Sequence, residues 1–440
     1  MPALHSIVLL SIEKLIYGGD GLARTAPGPD GRSMAVFVPF VLPGEQVEAE
    51  VRQEKPGFAR GNVTSLIEAS QDRIEPRCPY FQRCGGCHYQ HIPYKRQLEF
   101  KAQILRETLQ RIAKIELKDE IRLHPSPPWN YRNRTRLQVR TAPEFALGYY
   151  RIGSHEFLPV RECPISSPLI NRVIARLTEV GGSDCPPSVE EIEFLADAGD
   201  EQLLAWAFCR GDAPKDELLQ WGEALRRELP YVTGVSFFSL RHRTEEDSAP
   251  DLRTIAQSGA ASLRYRTGNH EYQVSAGAFF QVNRYLLDEL ISVVSGGVSG
   301  EMALDLYAGG GLFSAALAKN FHHIFAVEAS QTSLPDLRHN VPASVKVVGT
   351  RTEEYLRSRP ARKRPDLIAL DPPRAGAGKA VIRSLVELGA QSIRYVSCDP
   401  ATLSRDLCAL VAGGYRIEET HLFDLFPQTF HIETVMLLAR

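Results

Sequence analysis

Met302-Ala-Leu-Asp305-Leu-Tyr307-Ala-Gly309-Gly-Gly311-Leu-Phe-Ser314-Ala-Ala-Leu-Ala318 reads as a buried strand, a glycine turn and a helix. The spacing Asp-x-x-x-Gly-x-Gly lets a cofactor approach the backbone at the N-terminus of a helix, where unpaired N–H groups point outward. A dinucleotide fingerprint would need a third glycine at position 314, where this chain has Ser314. The following run, Ile324-Phe-Ala-Val-Glu328, ends in an acid seventeen residues after Gly311, suited to ribose hydroxyls. Together these features favour S-adenosylmethionine over NAD. They predict a Rossmann-like α/β domain over residues 269–440.

Two later strands of that domain carry candidate chemistry. Asp366-Leu-Ile-Ala-Leu-Asp371-Pro-Pro-Arg374-Ala-Gly376 ends a strand with an acid and a rigid pair of prolines facing the crevice. Amino-group methyltransferases use a similar elbow with an aromatic after the prolines. Here Arg374 follows, which argues against that chemistry. Ile393-Arg-Tyr-Val396 reads as another strand, and Ser397-Cys398-Asp399-Pro400 follows it, ahead of a helical run. A cysteine just past the carboxyl end of such a strand points into the ligand crevice. By itself it could equally be a small buried hydrophobe. His431-Ile-Glu433-Thr places a carboxylate at the start of the last strand; read alone, Glu433 could be a surface acid.

At 440 residues, with 43% hydrophobic and 24% charged side chains, the chain is expected to form about two to four globular domains. No apolar run approaches the roughly 20 residues of a membrane span. The N-terminus lacks the pattern of a secretory signal, so a cytoplasmic enzyme is expected. The eight cysteines are clustered and uneven, unlike a disulfide framework, which points to metal or catalytic use. The net charge of −2 hides an uneven distribution. Residues 70–165 hold seventeen Lys/Arg against ten Asp/Glu, whereas residues 166–300 hold twelve against twenty. A basic block of this kind is the footprint of a polyanion site.

Three blocks are expected. Residues 1–68 show the strand-like runs 7–12, 34–38, 46–51 and 61–67, separated by the turn signals 17–21, 27–31, 42–45 and 55–57. Four or five such strands make an OB-like barrel, a common platform for single-stranded nucleic acid. Residues 69–268 form a central α+β domain that opens on Cys78-Pro-Tyr-Phe-Gln-Arg-Cys84-Gly-Gly-Cys87. Three cysteines in ten residues, with glycines allowing tight turns, make a metal-site pattern, and Cys163 in Arg161-Glu-Cys-Pro164 is the best fourth ligand. Four thiolates suit tetrahedral zinc or a [4Fe–4S] cluster, and spacing does not separate the two. Residues 94–112 form an amphipathic helix, with Leu98, Ala102, Leu105, Leu109 and Ile112 on its apolar face. Arg132, Arg134 and Arg136 recur at period two, on one face of a strand. Like charges side by side suggest an anionic partner such as phosphate, or a solvated sheet face. Residues 166–268 carry helix and strand patterns but no functional signal; Cys185 and Cys209 read as packing residues.

Several stretches resemble one family. Tyr17-Gly-Gly-Asp-Gly-Leu-Ala-Arg24 and Val38-Pro-Phe-Val-Leu-Pro-Gly-Glu45 resemble the RNA-binding TRAM domain. With the set Cys78, Cys84, Cys87 and Cys163, and with Phe279-Phe-Gln281-Val-Asn283, the cofactor turn, Asp-Pro-Pro-Arg, Ser-Cys-Asp-Pro and His-Ile-Glu-Thr, the chain resembles the RNA uridine-5-methyltransferase family from about residue 8 to its end. Within it, the branch bearing both a TRAM domain and an iron–sulfur cluster includes the enzymes that modify 23S ribosomal RNA. The tRNA-directed bacterial branch generally lacks both. The resemblance implies ribosomal RNA as substrate, with tRNA the alternative, and S-adenosylmethionine and a [4Fe–4S] cluster as cofactors. It implies cofactor contacts at Gln281, Asp305, Tyr307, Gly309, Gly311, Glu328 and Asp371, and RNA contacts at Arg132, Arg134, Arg136, Phe279 and Arg374. A monomer is expected. Leu312 departs from the pattern, since many relatives carry a polar cofactor contact there, and it is given no polar role.

The chemistry implied explains the residue types. Uracil C5 is a poor nucleophile until a thiolate adds at C6, and Cys398 is the residue placed to do so. The C5 proton must then be removed, a role the resemblance gives to Glu433. Arg374 could orient the thiol or the base. The uridine must leave its stack, and Phe279 or Phe280 could receive it. The rival readings are an N- or cytosine-5-directed RNA methyltransferase, for which no second cysteine sits beside Asp371, and a non-catalytic iron–sulfur RNA-binding protein.

Overall fold

The computed structural model describes every residue except 1–3, 28–30, 181–183, 212, 241–251, 269 and 359–362, so the turn expected over residues 27–31 lies mostly outside the described residues. Three large sheets carry the fold, beside a two-stranded pair of Ser262–Thr267 and His270–Ser275. The strands Ile7–Leu15, Asp20–Arg24, Ala35–Pro39, Phe58–Glu68 and Gln46–Lys55 close in that order into a barrel. Alternating residues fill it: Leu10 and Ile12, Val36 and Val38, and Val47, Ala49 and Val51 are all buried. Asp20–Arg24 is additional to the four runs read from the sequence. Asp-Gly-Leu-Ala-Arg holds no β-branched or aromatic residue, so local propensity is silent there.

A seven-stranded sheet follows, in the order Leu252–Gly259, Val232–Leu240, Leu203–Cys209, Val189–Ala196, Arg134–Arg140, Ala146–Tyr150, Phe157–Pro159. The helices Pro168–Val180 and Lys215–Glu228 supply Ile170, Ile174, Leu218 and Trp221 to its core, where Cys185 and Cys209 are also buried.

The third sheet has eight strands in the order Val345–Gly349, Phe321–Glu328, Gly300–Leu306, Leu367–Leu370, Ser392–Ser397, Glu433–Ala439, Arg416–Phe423, Arg122–His124. The first five are parallel, and their apolar runs are buried on both faces. Glu433–Ala439 enters antiparallel to both neighbours, with Ser397 opposite Thr434. The carboxyl ends of Gly300–Leu306, Leu367–Leu370 and Ser392–Ser397 and the beginning of the last strand therefore share one edge. None of the helices among the described residues is long and apolar enough to cross a membrane.

Two features differ from the sequence expectation. Arg122–His124, placed in the central block, is the edge strand of the C-terminal sheet, parallel to Arg416–Phe423. The helix Tyr94–Ala113 packs on Pro400–Ala412, with Ile104, Leu105 and Leu109 in one core with Ile393, Leu403 and Leu407. Residues 94–124 thus belong to the C-terminal layer, because an apolar stripe tells that a helix is covered but not by what. The covered face is also rotated from the one expected. Ile112 is exposed, while Gln97, Lys101 and Thr108 are buried.

Those buried polar groups hold the loop before the last strand. Lys101 Nζ bonds Asp424 Oδ1 at 2.6 Å with both side chains fully buried, and also donates to the Phe426 carbonyl at 3.1 Å. Gln97 exchanges two bonds with Gln428, Nε2 to Oε1 and backbone N–H to Oε1, each 3.0 Å. Removing one partner of a buried pair leaves the other charge uncompensated, at a cost of about 3–5 kcal/mol. Lys101→Met is therefore expected to lower unfolding stability by about that amount, and Lys101→Met/Asp424→Asn to recover part of it. The readout is the denaturant midpoint of the full chain. A loss in Lys101→Met below about 1 kcal/mol would remove the pair from the stabilising interactions.

Candidate active site

Cys398 lies one residue beyond the strand Ser392–Ser397, and three successive residues there are pinned. The Ser397 carbonyl accepts from Thr434 Oγ1 at 3.2 Å, and the Cys398 carbonyl accepts from Tyr17 Oη at 3.2 Å. Asp399 caps the helix Pro400–Ala412, its Oδ1 accepting the N–H groups of Ala401 and Thr402 at 3.0 and 2.8 Å. Pro400, in the first turn of that helix, sacrifices no hydrogen bond. Glu433 begins the opposing strand and is 5% exposed. Asp371 follows the strand Leu367–Leu370, and Arg374 lies exposed three residues later. The loop carrying both is tied to the capped helix: Thr402 Oγ1 donates to the Arg374 carbonyl at 3.1 Å, and Ala377 N–H donates to Asp406 Oδ2 at 2.8 Å.

These groups act on one another. Burial pushes the Cys398 thiol up to about 12; the carboxylates of Glu433 and Asp371 add to the rise, and the Arg374 guanidinium opposes it. Burial and Asp371 push the Glu433 carboxyl well above the usual range, again against Arg374. Burial raises Asp371 to about 7. His431 is pulled down to about 3, by burial first and then by the charges of Arg374 and Lys101, so it is a neutral neighbour. The site holds one thiol and two carboxyls around a single guanidinium, and they cannot all ionise together.

The cofactor turn lies on the same edge. Gly309 and Gly311 adopt φ of +54° and +88°, and a Cβ on Gly309 would meet nothing within 4 Å, which leaves room for a ligand against the backbone. Glu328 Oε2 accepts the Gly309 N–H at 2.8 Å, and its Oε1 accepts the N–H groups of Ala329 and Ser330. Asp305 is buried, bonded to Ser314 Oγ at 2.5 Å, and raised to about 7 by burial, with Asp371 and Glu328 adding to the rise. Three carboxyls within each other's field make an acidic cradle, which suits the sulfonium and ammonium charges of S-adenosylmethionine better than a dinucleotide pyrophosphate. The residue that replaces the third glycine of a dinucleotide turn is the one that holds Asp305. Tyr307 is half-buried at φ +62°, and Gln281 is half-buried, its carbonyl accepting from Asn133 Nδ2 at 3.2 Å.

The arginines and aromatics divide. Arg134 Nε bonds Glu193 Oε1 at 2.5 Å and Arg136 bonds Glu193 Oε2 at 2.9 Å, with the guanidinium groups over Trp206 and Phe208. The anionic partner inferred from the period-two arginines is thus, for these two, an internal carboxylate on the neighbouring strand. Arg132 lies apart, its buried Nε without a partner, against the cysteine cavity. Phe279 is 59% exposed, whereas Phe280 is 6% exposed and packed with Tyr265 and Tyr272. Of the two, only Phe279 is available to a base. Tyr17 was not among the expected site residues. A lone aromatic in a turn otherwise made of Gly and Asp was the available signal.

Cys78, Cys84, Cys87 and Cys163 line one cavity of about 60 Å³ together with Gln90, Arg132 and Tyr149. Cys84 is pushed to about 11 by burial, with the neighbouring thiols of Cys163 and Cys78 adding to the rise. Gln90 Oε1 accepts the Cys78 N–H at 3.0 Å and Asn171 Oδ1 the Cys163 N–H at 2.8 Å. Among the described residues, no three His, Cys, Asp or Glu side chains are grouped to hold a single metal ion.

The chain resembles known proteins over nearly its whole length. Residues 93–440 match the family model for tRNA (uracil-5-)-methyltransferase, and residues 5–64 match that for the TRAM domain. An uncharacterized RNA methyltransferase of Streptomyces avermitilis is 33% identical over 98% of this chain and 97% of its own. Another, of Caldanaerobacter subterraneus, is 31% identical with 98% and 97% covered. The crystal structure of Pyrococcus abyssi tRNA (uracil-54, C5)-methyltransferase in complex with S-adenosyl-L-homocysteine shares the fold, with a TM-score of 0.74 at 24% identity over 98% of this chain and 100% of that one.

The electrostatics are testable without a substrate. Alkylation of Cys398 by iodoacetamide, read by peptide mass mapping, is expected to keep rising from pH 7 to beyond about pH 9 without a plateau, since its thiol lies near 12. Arg374→Gln removes the cation that lowers it, so less thiolate is present at any given pH. The rate at pH 8 should fall by up to about tenfold, one pK unit. A plateau below pH 8 in the unaltered chain, or an unchanged rate in Arg374→Gln, would contradict the arrangement.

Proposed function

The chain belongs to the RNA (uracil-5-)-methyltransferase family, and from that premise we propose that it methylates C5 of a uridine in 23S ribosomal RNA, with Cys398 as nucleophile and Glu433 as base. The observation that carries this reading is the register of Ser397 against Thr434, which faces a thiol and a buried carboxyl across one crevice.

The thiolate of Cys398 adds to uracil C6, and the C5–C6 π electrons move onto the C4 oxygen as an enolate. S-adenosylmethionine, when bound, supplies an electrophilic methyl group, and the residues that would hold it are Gln281, Asp305, Tyr307, Gly309, Gly311, Glu328 and Asp371. Once C5 carries the methyl group, Glu433 takes the C5 proton, and the C6–S electrons return to sulfur. General-base help of this kind is worth on the order of 10²–10⁴-fold in rate. Burial and Asp371 hold the Glu433 carboxyl up, and Arg374 opposes them and so favours the carboxylate that takes the C5 proton. Arg374 and the exposed Phe279 are placed to meet the extruded uracil.

We assign the four-cysteine cavity to a [4Fe–4S] cluster. Four thiols lining one cavity could supply the four ligands of such a cluster, and the resemblance to the cluster-bearing branch favours it over tetrahedral zinc. The unpaired Arg132 supplies a cation beside an anionic cluster. Net methyl transfer moves no electrons, so the residues around it are read as holding the central domain in place. The barrel paired with such a cluster resembles the branch that modifies 23S ribosomal RNA. The second reading is tRNA, the substrate named for the family model and for the Pyrococcus abyssi enzyme.

Glu433→Gln should accumulate a covalent protein–RNA adduct on denaturing gels, and Cys398→Ala should form neither adduct nor product while still binding S-adenosylhomocysteine. Product from Cys398→Ala would rule out the thiolate route. Sequencing the RNA held by Glu433→Gln in cells is expected to return 23S ribosomal RNA; tRNA would select the second reading. Protein purified anaerobically should contain iron and acid-labile sulfide in equal amounts. Stoichiometric zinc would overturn the cluster assignment.

A further inference from the structure

The barrel is usually thought of as a handle for RNA, yet its first turn ends at the proposed nucleophile. Tyr17 sits between the strands Ile7–Leu15 and Asp20–Arg24, in a turn closed by Gly18 and Gly19 at φ of +110° and +95°. The turn is pressed on the cysteine loop, since a Cβ on Gly19 would lie 3.2 Å from His88 Cβ. Tyr17 Oη donates to the carbonyl of Cys398 at 3.2 Å. Its ring meets Phe430 edge-on, with centroids 5.6 Å apart at 89°, and Phe430 in turn packs on His88 at 4.7 Å and His431 at 4.4 Å. One side chain from the N-terminal barrel therefore touches both catalytic loops: the nucleophile's own peptide, and the residue three positions before Glu433.

We propose that the barrel is part of the catalytic centre, and that Tyr17 is a positioning residue that fixes the Cys398 peptide for attack on uracil C6. This rests on the reading of Cys398 as nucleophile. Of the three pinned residues in the Cys398 loop, Ser397 is held by the last strand, while the Cys398 carbonyl and the Asp399 side chain both meet Tyr17 from another domain. Burial first, and then Asp399 and Cys398, push the Tyr17 phenol far above its ordinary range, so it stays neutral and keeps its proton to donate into the Cys398 loop. It cannot serve as a base. It can set where Sγ points, and a thiolate that must meet C6 within a few tenths of an ångström is sensitive to that.

The test uses the full chain and an RNA fragment carrying 5-fluorouridine at the modified position, which holds the adduct because fluorine cannot leave as a proton. Adduct formation is followed in single turnover at saturating RNA and S-adenosylmethionine. RNA and S-adenosylhomocysteine affinities are measured separately. Tyr17→Phe should slow adduct formation by about three- to tenfold, the worth of one neutral hydrogen bond. Tyr17→Ala should slow it on the order of a hundredfold. Both affinities should stay within about twofold, a split between rate and binding that a mere RNA grip would not produce. Unchanged rates at saturation in Tyr17→Phe, with or without weaker RNA binding, would overturn the proposal. If Tyr17→Ala melts early, Tyr17→Phe alone decides. If the unaltered chain forms no adduct, the Cys398 reading has failed and the role of Tyr17 falls with it, whereas an adduct in the unaltered chain that Tyr17→Phe forms no more slowly overturns the role of Tyr17 alone.

Discussion

The site depends on one strand entering a parallel sheet the wrong way round. Had Glu433–Ala439 run parallel to Ser392–Ser397, its first residue would lie at the far edge of the sheet from Cys398. Running antiparallel, with Ser397 opposite Thr434, it delivers Glu433 to the ligand edge beside the thiol. That placement is useful only if the chain before it, residues 424–432, is held without the help of a sheet. Beside the local bonds of Thr429, distant segments spend polar groups there. Lys101 binds Asp424, Asn283 Nδ2 donates to the Leu425 carbonyl at 3.1 Å, Tyr131 Oη donates to the Pro427 carbonyl at 3.1 Å, and Gln97 pairs with Gln428. A buried ion pair is a poor source of net stability compared with packed apolar groups. Here it stands where a charge-specific contact fixes a loop, which is the more telling use of it.

The electrostatic logic follows from crowding. Asp305, Glu328 and Asp371 reach the crevice from the carboxyl ends of parallel strands and Glu433 from the start of the antiparallel one; Asp371 and Glu328 raise Asp305, and Asp371 raises Glu433. A surface that concentrates negative charge costs stability in the unliganded protein. Binding a cation recovers part of that cost, so the same acids that oppose one another favour a sulfonium over an anionic cofactor. Arg374 is the counterweight beside the Cys398 thiol. It sits after two prolines, on a loop tied to Asp406 and Thr402, so its position does not depend on the substrate.

What the sequence disclosed and what it hid follow from the range of each interaction. The glycine turn, the elbow at Asp371 and the loop at Cys398 were legible because strand, turn and helix are adjacent in the chain and the requirement for positive φ or a cap is local. Glu433 was legible from the family resemblance, since nothing nearby distinguishes it from a surface acid. Lys101 was not legible: its helix shows an apolar stripe, and a lysine beside that stripe looks solvated until its partner 323 residues away is known. The period-two arginines were read as seeking an external anion because Glu193 lies on a strand that only tertiary pairing brings alongside. Arg122–His124 is too short and too polar to announce a strand, and exists as one because Arg416–Phe423 offers it an edge.

The segments that flank the catalytic sheet then divide their labour. The barrel turn reaches the Cys398 carbonyl through Tyr17. The cysteine loop reaches the other side: Gln428, at φ +68°, turns its carbonyl so that the N–H groups of both His88 and Tyr89 donate to it, at 2.8 and 2.9 Å. Those residues directly follow Cys87. Gln428 also precedes Phe430 and His431, so whatever fixes the Cys87 loop fixes the approach to Glu433. The same strand segment that carries Arg132 bridges Ser166, three residues after Cys163, on one side and Asn283 on the other. Through it the cysteine cavity is tied to the Phe279–Asn283 stretch that faces the crevice. The loops that line the cysteine cavity are thus tied to two walls of the crevice, while the barrel turn reaches the third.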